Sequence, residues 1–132
     1  MNVLSLFDGI SCCQNALDNL NLKINKYYSS EINNNTIKVT QKNYPNTIQL
    51  GDVKNWKGWK LDEINLMTGG SPCQGFSHQG RGLNFEDPRS KLFFDFVSVL
   101  DKVNPKYFLL ENVRMRKEWR DIISSYLGVE PI

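Results

Sequence analysis

Short apolar runs alternate with helix-length segments along the chain, and this pattern predicts the fold class. The apolar runs that we predict to be strands cover residues 3–7, 24–31, 47–50, 64–68 and 107–110. Strands that alternate with helices are typical of a parallel sheet whose crossover connections are helical. The pattern therefore predicts an α/β protein with a Rossmann-like, three-layer αβα architecture and a mostly parallel sheet.

The segments between these runs carry helix signals. Residues 13–20 place apolar side chains on one face, and residues 33–35 offer N-cap amides before a helix that Pro45 closes. Asp87 and Pro88 predict the start of a third helix, and a fourth covers residues 117–127, with Gly128 as its stop. The third helix has a broad apolar face formed by Leu92, Phe93, Phe96, Val99, Leu100 and Val103. Residues 71–87 lack periodicity and predict a long loop, and loops of this length inside compact domains are usually functional or disordered.

Length and composition restrict the class of protein only moderately. The 132 residues suffice for one domain, and the net charge of +2 neither favours nor excludes DNA as a partner. No apolar stretch is long enough to span a membrane, and no signal-peptide pattern is present, so we expect a cytoplasmic protein. The three cysteines form no C-x-x-C pair, so we expect no metal site and one reactive thiol.

Polar and glycine residues follow the predicted strands at the points where the strands end. They are Asp8, Gly9, Glu31, Asp52, Gly70 and Glu111, and the apolar Phe7 directly precedes Asp8. Ligands of open α/β sheets bind at the carboxyl ends of the strands. A glycine turn such as residues 8–11, followed by an acid at the end of the second strand, is typical of a nucleoside site. In such a site, Glu31 could bond to the ribose hydroxyls and Asp52 could accept a hydrogen bond from the adenine amino group. Phe7 could stack on the adenine ring. Strand-end acids also serve as caps or solvated residues, and that alternative stays open. Ser11 replaces a second glycine, which favours a cofactor without phosphates.

Two further residues, Cys73 and Glu111, are candidates for catalytic roles. Cys73 follows Pro72 in a glycine-flanked segment at the same edge and could be a nucleophile, although a buried, inert thiol is the alternative. Cys12 and Cys13 are predicted to be small packing residues. Glu111, if partly desolvated, could donate a proton, or it could simply cap the following turn.

Three blocks in this order resemble the cytosine-5 DNA methyltransferases. They are Phe7-Asp8-Gly9, Gly70-Ser71-Pro72-Cys73-Gln74 and Glu111-Asn112-Val113. The opening segment and Gly51-Asp52-Val53 are most similar to the animal de novo enzymes and their bacterial and phage relatives. The resemblance implies a methyltransferase fold dependent on S-adenosylmethionine, with double-stranded DNA as the partner, and it raises the prospect of an associated restriction-modification system.

The resemblance also implies roles for individual residues. The positions implied to contact S-adenosylmethionine are Phe7, Gly9, Ile10, Glu31, Ile32, Asp52, Val53, Pro72 and Leu92. Cys73 is implied to be the nucleophile and Glu111 the partner of a flipped cytosine. Ser71, Gln74, Ser77 and Asn112 are implied to shape the substrate loop, and His78, Gln79 and Arg81 are candidates for DNA contact.

The family continues beyond the third block with further strands and a DNA-recognition region. We therefore expect residues 1–132 to be the cofactor-binding and catalytic-cysteine part of the domain, truncated after the fifth or sixth strand, with no target-recognition region. Three hypotheses follow: a fragment of a methyltransferase, one subunit of a split enzyme completed by a second chain, or a non-catalytic remnant that binds cofactor or DNA. The presence of Cys73 and Glu111 argues against the remnant. We expect little activity from the chain alone.

Overall fold

The computed structural model describes residues 1–71 and 91–132. In chain order, the elements in these ranges are β1 (Asn2–Leu6), α1 (Cys12–Asn19), β2 (Lys26–Ser30), α2 (Asn34–Asn43), β3 (Ile48–Gln49), a 3-10 helix (Val53–Gly58), β4 (Leu66–Gly70), α3 (Lys91–Val103), β5 (Tyr107–Glu111) and α4 (Lys117–Leu127). Strands and helices alternate as the apolar pattern predicts.

The described strands form one sheet in the order β3-β2-β1-β4-β5, and every pairing is parallel. The chain moves outward from β1 in one direction and then returns to β4 on the other side. Leu6 pairs with Ser30 and Gly69, and Gly70 pairs with Glu111, so the carboxyl ends of the strands are level. This arrangement confirms the predicted Rossmann-like α/β class and creates a switch point between β1 and β4, where such sheets bind ligands.

Both faces of the sheet are covered because successive β1 side chains point to opposite sides. Val3 packs with Leu17 of α1 and Tyr27 on one face. Leu4 and Leu6 pack on the other face, where the core includes Phe96 of α3. Helix α4 adds to this second side, as a further cluster joins Phe93, Val97 and Ile123. The sheet therefore lies between two helical layers.

The structure corrects several predicted boundaries. The fourth strand begins at Leu66 rather than residue 64, and it includes Gly69 and Gly70, which we had placed after it. Ile64 is already buried in the core before the strand starts. The missing side chain at Gly69 makes room for the Phe96 ring, since a Cβ atom there would lie 2.9 Å from it. Pairing consequently continues through both glycines to the edge.

Other predictions have mixed outcomes. The helix at residues 117–127, with Gly128 as its C-cap, is confirmed, and so is the N-cap of α2 at Asn33. The 3-10 helix was not predicted. Cys13 packs against the core, but Cys12 is exposed, so its assignment as a packing residue is wrong. Asp87 and Pro88 lie outside the described residues. None of the described helices is long and apolar enough to cross a membrane.

Candidate functional site

The turn between β1 and α1 has a glycine-like backbone. Phe7 and Gly9 have φ angles of +56° and +61°, in the left-handed region that residues with a Cβ atom rarely adopt. No atom of residues 1–71 or 91–132 beyond its chain neighbours lies within 4 Å of the position that a Cβ atom would take on Gly9. The turn thus leaves open space directly above its backbone, at the carboxyl edge of the sheet.

Glu31 occupies the position beyond β2 that faces this turn. One oxygen of its carboxylate accepts the Gly9 N–H at 2.9 Å, and the other accepts the N–H groups of Ile32 and Asn33 at 2.7 and 2.8 Å. A carboxylate has about four acceptor sites, so these bonds leave it able to accept more. The backbone therefore fixes the carboxylate in place without saturating it.

Two isoleucines flank Glu31 and Gly9 and expose apolar surface. Ile10 is 48% exposed and Ile32 is 71% exposed. Both belong to the positions that the family resemblance implies for cofactor contact. An apolar rim around a fixed carboxylate is typical of a site that takes an amphipathic small molecule.

Asp52 lies beyond β3 and caps the 3-10 helix. Its Oδ1 atom accepts the Lys54 N–H at 3.0 Å, and its other oxygen has no bond to a described residue. Val53, by contrast, is buried in the core, which leaves only its main chain for contact with a ligand. The capping alternative for Asp52 is therefore correct, and it leaves one carboxylate oxygen for a ligand. Burial raises the pKa of Asp95 in α3. The positive charge of Lys54 lowers this pKa, and the negative charge of Asp52 raises it.

Asp8 is the residue of the turn to which sequence reasoning gave no role. Its carboxylate accepts hydrogen bonds from the hydroxyls of Ser11, Tyr27 and Ser29, the last two at 2.8 Å. The sequence feature that could have indicated this role is the pair of hydroxyl residues Tyr27 and Ser29, two positions apart in the second strand. That signal is informative only once the strand register is known.

Glu111 ends β5 at the far side of the same edge. Gly70 lies beside it in β4, and a Cβ atom at position 70 would lie 3.0 Å from Glu111 Oε2. The bare backbone of Gly70 thus makes room for this carboxylate. Glu111 is exposed in the described structure, so the partial desolvation on which its role as a proton donor was conditional is not present there.

Asn112 connects this corner to the segment that follows β4. Its side-chain amide donates to Ser71 Oγ at 3.5 Å, while its Oδ1 accepts the Val113 N–H at 2.8 Å. Ser71 is buried. The contact holds the first residue of the 71–87 segment against the end of β5.

Several predicted site residues lie outside the described ranges. They are Pro72, Cys73, Gln74, Ser77, His78, Gln79 and Arg81. Leu92 is described; it lies in the first turn of α3 and packs against the main core. Among the described residues, no cluster of three or more histidine, cysteine or acidic side chains could hold a metal ion.

The fold and the edge geometry define a parallel α/β protein with a candidate ligand site where β1, β2 and β3 end. A family model of C-5 cytosine-specific DNA methylases matches residues 1–121. The chain therefore belongs to the C-5 cytosine-specific DNA methylase family.

Individual relatives agree with this assignment. The chain is 39% identical over 116 residues to the orphan methyltransferase M.Rho11sI of Bacillus phage rho11s, covering 86% of this chain and 23% of that protein. It is equally identical over the same length to the orphan methyltransferase M.SPRI of Bacillus phage SPR, covering 86% and 26%. A crystal structure of a DNMT2 mutant from Spodoptera frugiperda matches with a TM-score of 0.69 at 26% identity, covering 96% of this chain and 40% of that one. The chain spans about a quarter of the length of these two phage relatives.

Proposed function

We propose that this chain supplies the cofactor-binding and nucleophile-bearing part of an enzyme that transfers a methyl group from S-adenosylmethionine to carbon 5 of cytosine in DNA. The observation that carries the proposal is the Glu31 carboxylate, held beside the open Gly9 backbone at the carboxyl edge. Membership of the C-5 cytosine-specific DNA methylase family gives this site its ligand class.

The residues at the edge fit S-adenosylmethionine by their chemistry. Three of the about four acceptor sites of the Glu31 carboxylate are used, which leaves one for a ribose hydroxyl, and Asp52 retains an oxygen for the adenine amino group. Ile10 and Ile32 offer apolar surface to the adenine ring. In this proposal, Phe7 and Val53 complete the adenosine site, while Pro72 and Leu92 line the side next to the substrate loop.

The bound cofactor supplies an electrophilic methyl group on a sulfonium. The chain's own contribution is to make carbon 5 of cytosine nucleophilic. The Cys73 thiolate adds to carbon 6 and forms a covalent bond. Glu111 donates a hydrogen bond or a proton to ring nitrogen 3, and this stabilises the negative charge that the addition places on the ring. After carbon 5 has accepted the methyl group, loss of its proton to a base restores the 5,6 double bond and breaks the bond to Cys73.

Access to carbon 6 requires the cytosine to leave the stacked duplex, so the proposed substrate is a flipped base in double-stranded DNA. Asn112 and buried Ser71 fix the point where the 71–87 segment leaves the sheet. We assign Gln74 and Ser77 of this segment to the substrate side. Glu111, across from Gly70, lies at the same corner.

A split enzyme is the second candidate, and one observation favours it. Tyr107 and Leu109 on β5 are 60% and 61% exposed, although they alternate with residues that pack in the core. Large apolar side chains so exposed on the outermost described strand offer a surface that another polypeptide segment could cover. In that case, the DNA-recognition function belongs to a second chain and the methyl-transfer residues to this one.

The proposed reaction is tested with radiolabelled S-adenosylmethionine and mixed-sequence DNA, comparing the wild-type chain with Cys73→Ser. Label on cytosine carbon 5 that disappears in Cys73→Ser supports the full proposal. No label from a folded chain that binds the cofactor product means that further segments are required, and label that returns when a separate candidate partner chain is added supports the split enzyme. Label that persists in Cys73→Ser contradicts the assigned nucleophile.

A further inference from the structure

A network of buried hydroxyls surrounds the Asp8 carboxylate in the turn after β1. Tyr27 and Ser29 of β2 and Ser11 at the start of α1 all donate to it. These three donors are at most 2% exposed. One turn, one strand and one helix start are therefore joined through a single side chain, that of the residue before Gly9.

The backbone of this turn is unfavourable for two of its residues, Phe7 and Ser11, which carry a Cβ atom at a positive φ angle. Ser11 has a φ angle of +63°, and Phe7 and Gly9 also lie in the left-handed region. Residues with a Cβ atom keep such angles only where surrounding contacts over-determine them. Thr40 of α2 adds to these contacts, because its Oγ1 lies 3.2 Å from Ser11 Oγ and donates to the Gly9 carbonyl at 3.4 Å.

Asp8 and Glu31 each accept three hydrogen bonds, but from different donors: side-chain hydroxyls bond to Asp8, and backbone N–H groups bond to Glu31. The Oδ1 atom of Asp8 accepts from Tyr27, and its Oδ2 atom accepts from both Ser11 and Ser29. Because these donors come from β2 and the start of α1 and are themselves buried, the Asp8 carboxylate joins elements of the fold. Burial, assisted by the Asp8 charge, raises the pKa of Tyr27, which keeps its phenol protonated as a donor.

We propose that Asp8 is a positioning residue that holds the turn in its binding-competent shape before the cofactor arrives. Through Tyr27, Ser29 and Ser11 it fixes the backbone so that the Gly9 N–H meets Glu31. The cofactor then does not have to order the turn, which is the advantage of a preorganised site. This inference rests on the proposed function, because it assumes that the edge binds S-adenosylmethionine.

The first test is the affinity for S-adenosylhomocysteine, measured by calorimetry on the full chain. We expect Asp8→Asn to weaken binding about tenfold and Tyr27→Phe about threefold, since the first change removes the charge from all three hydrogen bonds and the second removes only one of them. Tyr28→Phe is the matched control. Tyr28 is also buried in β2, but its hydroxyl contacts the Asp62 backbone instead of the turn. We expect this control to stay within about twofold of wild type.

The second test separates positioning from general stability by amide hydrogen exchange. In ligand-free Asp8→Asn, we expect the Gly9 amide to exchange at least about tenfold faster, while the β1 amide of Leu4 keeps its wild-type rate. Saturating S-adenosylhomocysteine should restore Gly9 protection. Unchanged affinity and unchanged Gly9 exchange would overturn the inference, and so would equal loss of protection throughout β1.

The two proposals fail in distinguishable ways. If the wild-type chain does not bind S-adenosylhomocysteine, the proposed function fails and this inference fails with it. If wild type binds and the variants bind equally well, only the role of Asp8 is overturned. Should Asp8→Asn not fold, Tyr27→Phe tests the same network with the carboxylate intact.

Discussion

Gly69 and Gly70 are adjacent in β4, yet each lacks a side chain for a different reason. A Cβ atom on Gly69 would meet the Phe96 ring and the Leu6 carbonyl at 2.9 and 3.1 Å, inside the core. A Cβ atom on Gly70 would meet the Glu111 carboxylate at the functional edge. Adding one methyl group at each position therefore has different expected effects. Gly69→Ala should lower the stability of the fold, and Gly70→Ala should impair the reaction.

Gly69→Ala is expected to destabilise the fold. The added methyl group overpacks a site bounded by a buried ring and backbone, and this typically costs about 1–3 kcal/mol of unfolding free energy. Urea denaturation measures the loss. A stability equal to wild type would contradict the described packing of Phe96 against Gly69.

Gly70→Ala is expected to impair the reaction while sparing the cofactor site. The exposed Glu111 side chain can move away from a new methyl group, so stability should change by less than about 1 kcal/mol. The Glu111 carboxylate would then leave the position in which it is proposed to contact the cytosine. We predict that methyl transfer, in whatever assembly supports it, falls about tenfold or more, since losing one stabilising group in a transition state typically costs that much. Affinity for S-adenosylhomocysteine should stay unchanged, and a matching loss of affinity would contradict the account.

Individual elements were predictable where a local signal specified them. Asn33 before α2 accepts the N–H groups of Asn35 and Thr36, which is the capping role that the sequence indicates. The 3-10 helix, in contrast, contains only Val53 and Trp56 as apolar residues and shows no helical periodicity. It forms because Asp52 caps it and Val53 enters the core, and both are tertiary facts.

The Asn33 cap gives a test at the scale of an element. Asn33→Ala removes the acceptor for the free amides of the first turn of α2, and the expected loss of unfolding free energy is about 1 kcal/mol. Asn34→Ala is the control, because Asn34 is an exposed helical residue next to the cap. Thermal denaturation of both variants should show a lower midpoint for Asn33→Ala only.

For the whole molecule, the alternation of apolar runs and helical segments was enough to predict the parallel α/β sheet and the edge where Glu31, Asp52 and Glu111 lie. The Asp8 network was not predictable, because Tyr27 and Ser29 resemble any pair of residues in a strand. Only the pairing of β1 with β2, which places Leu6 beside Ser30, brings those hydroxyls to Asp8. The sequence pattern therefore does not predict contacts that depend on the register between strands.

The central claim is that the carboxyl edge around Glu31 binds S-adenosylmethionine, and titration calorimetry with S-adenosylhomocysteine tests it most directly. Wild type, Glu31→Gln and Glu63→Gln are compared; Glu63 is exposed and precedes β4, at the opposite end of the sheet. The account predicts binding by wild type and Glu63→Gln, and at least about tenfold weaker binding by Glu31→Gln, because the ribose hydroxyls lose a charged acceptor. Equal affinity of all three proteins, or no binding by folded wild type, would contradict it.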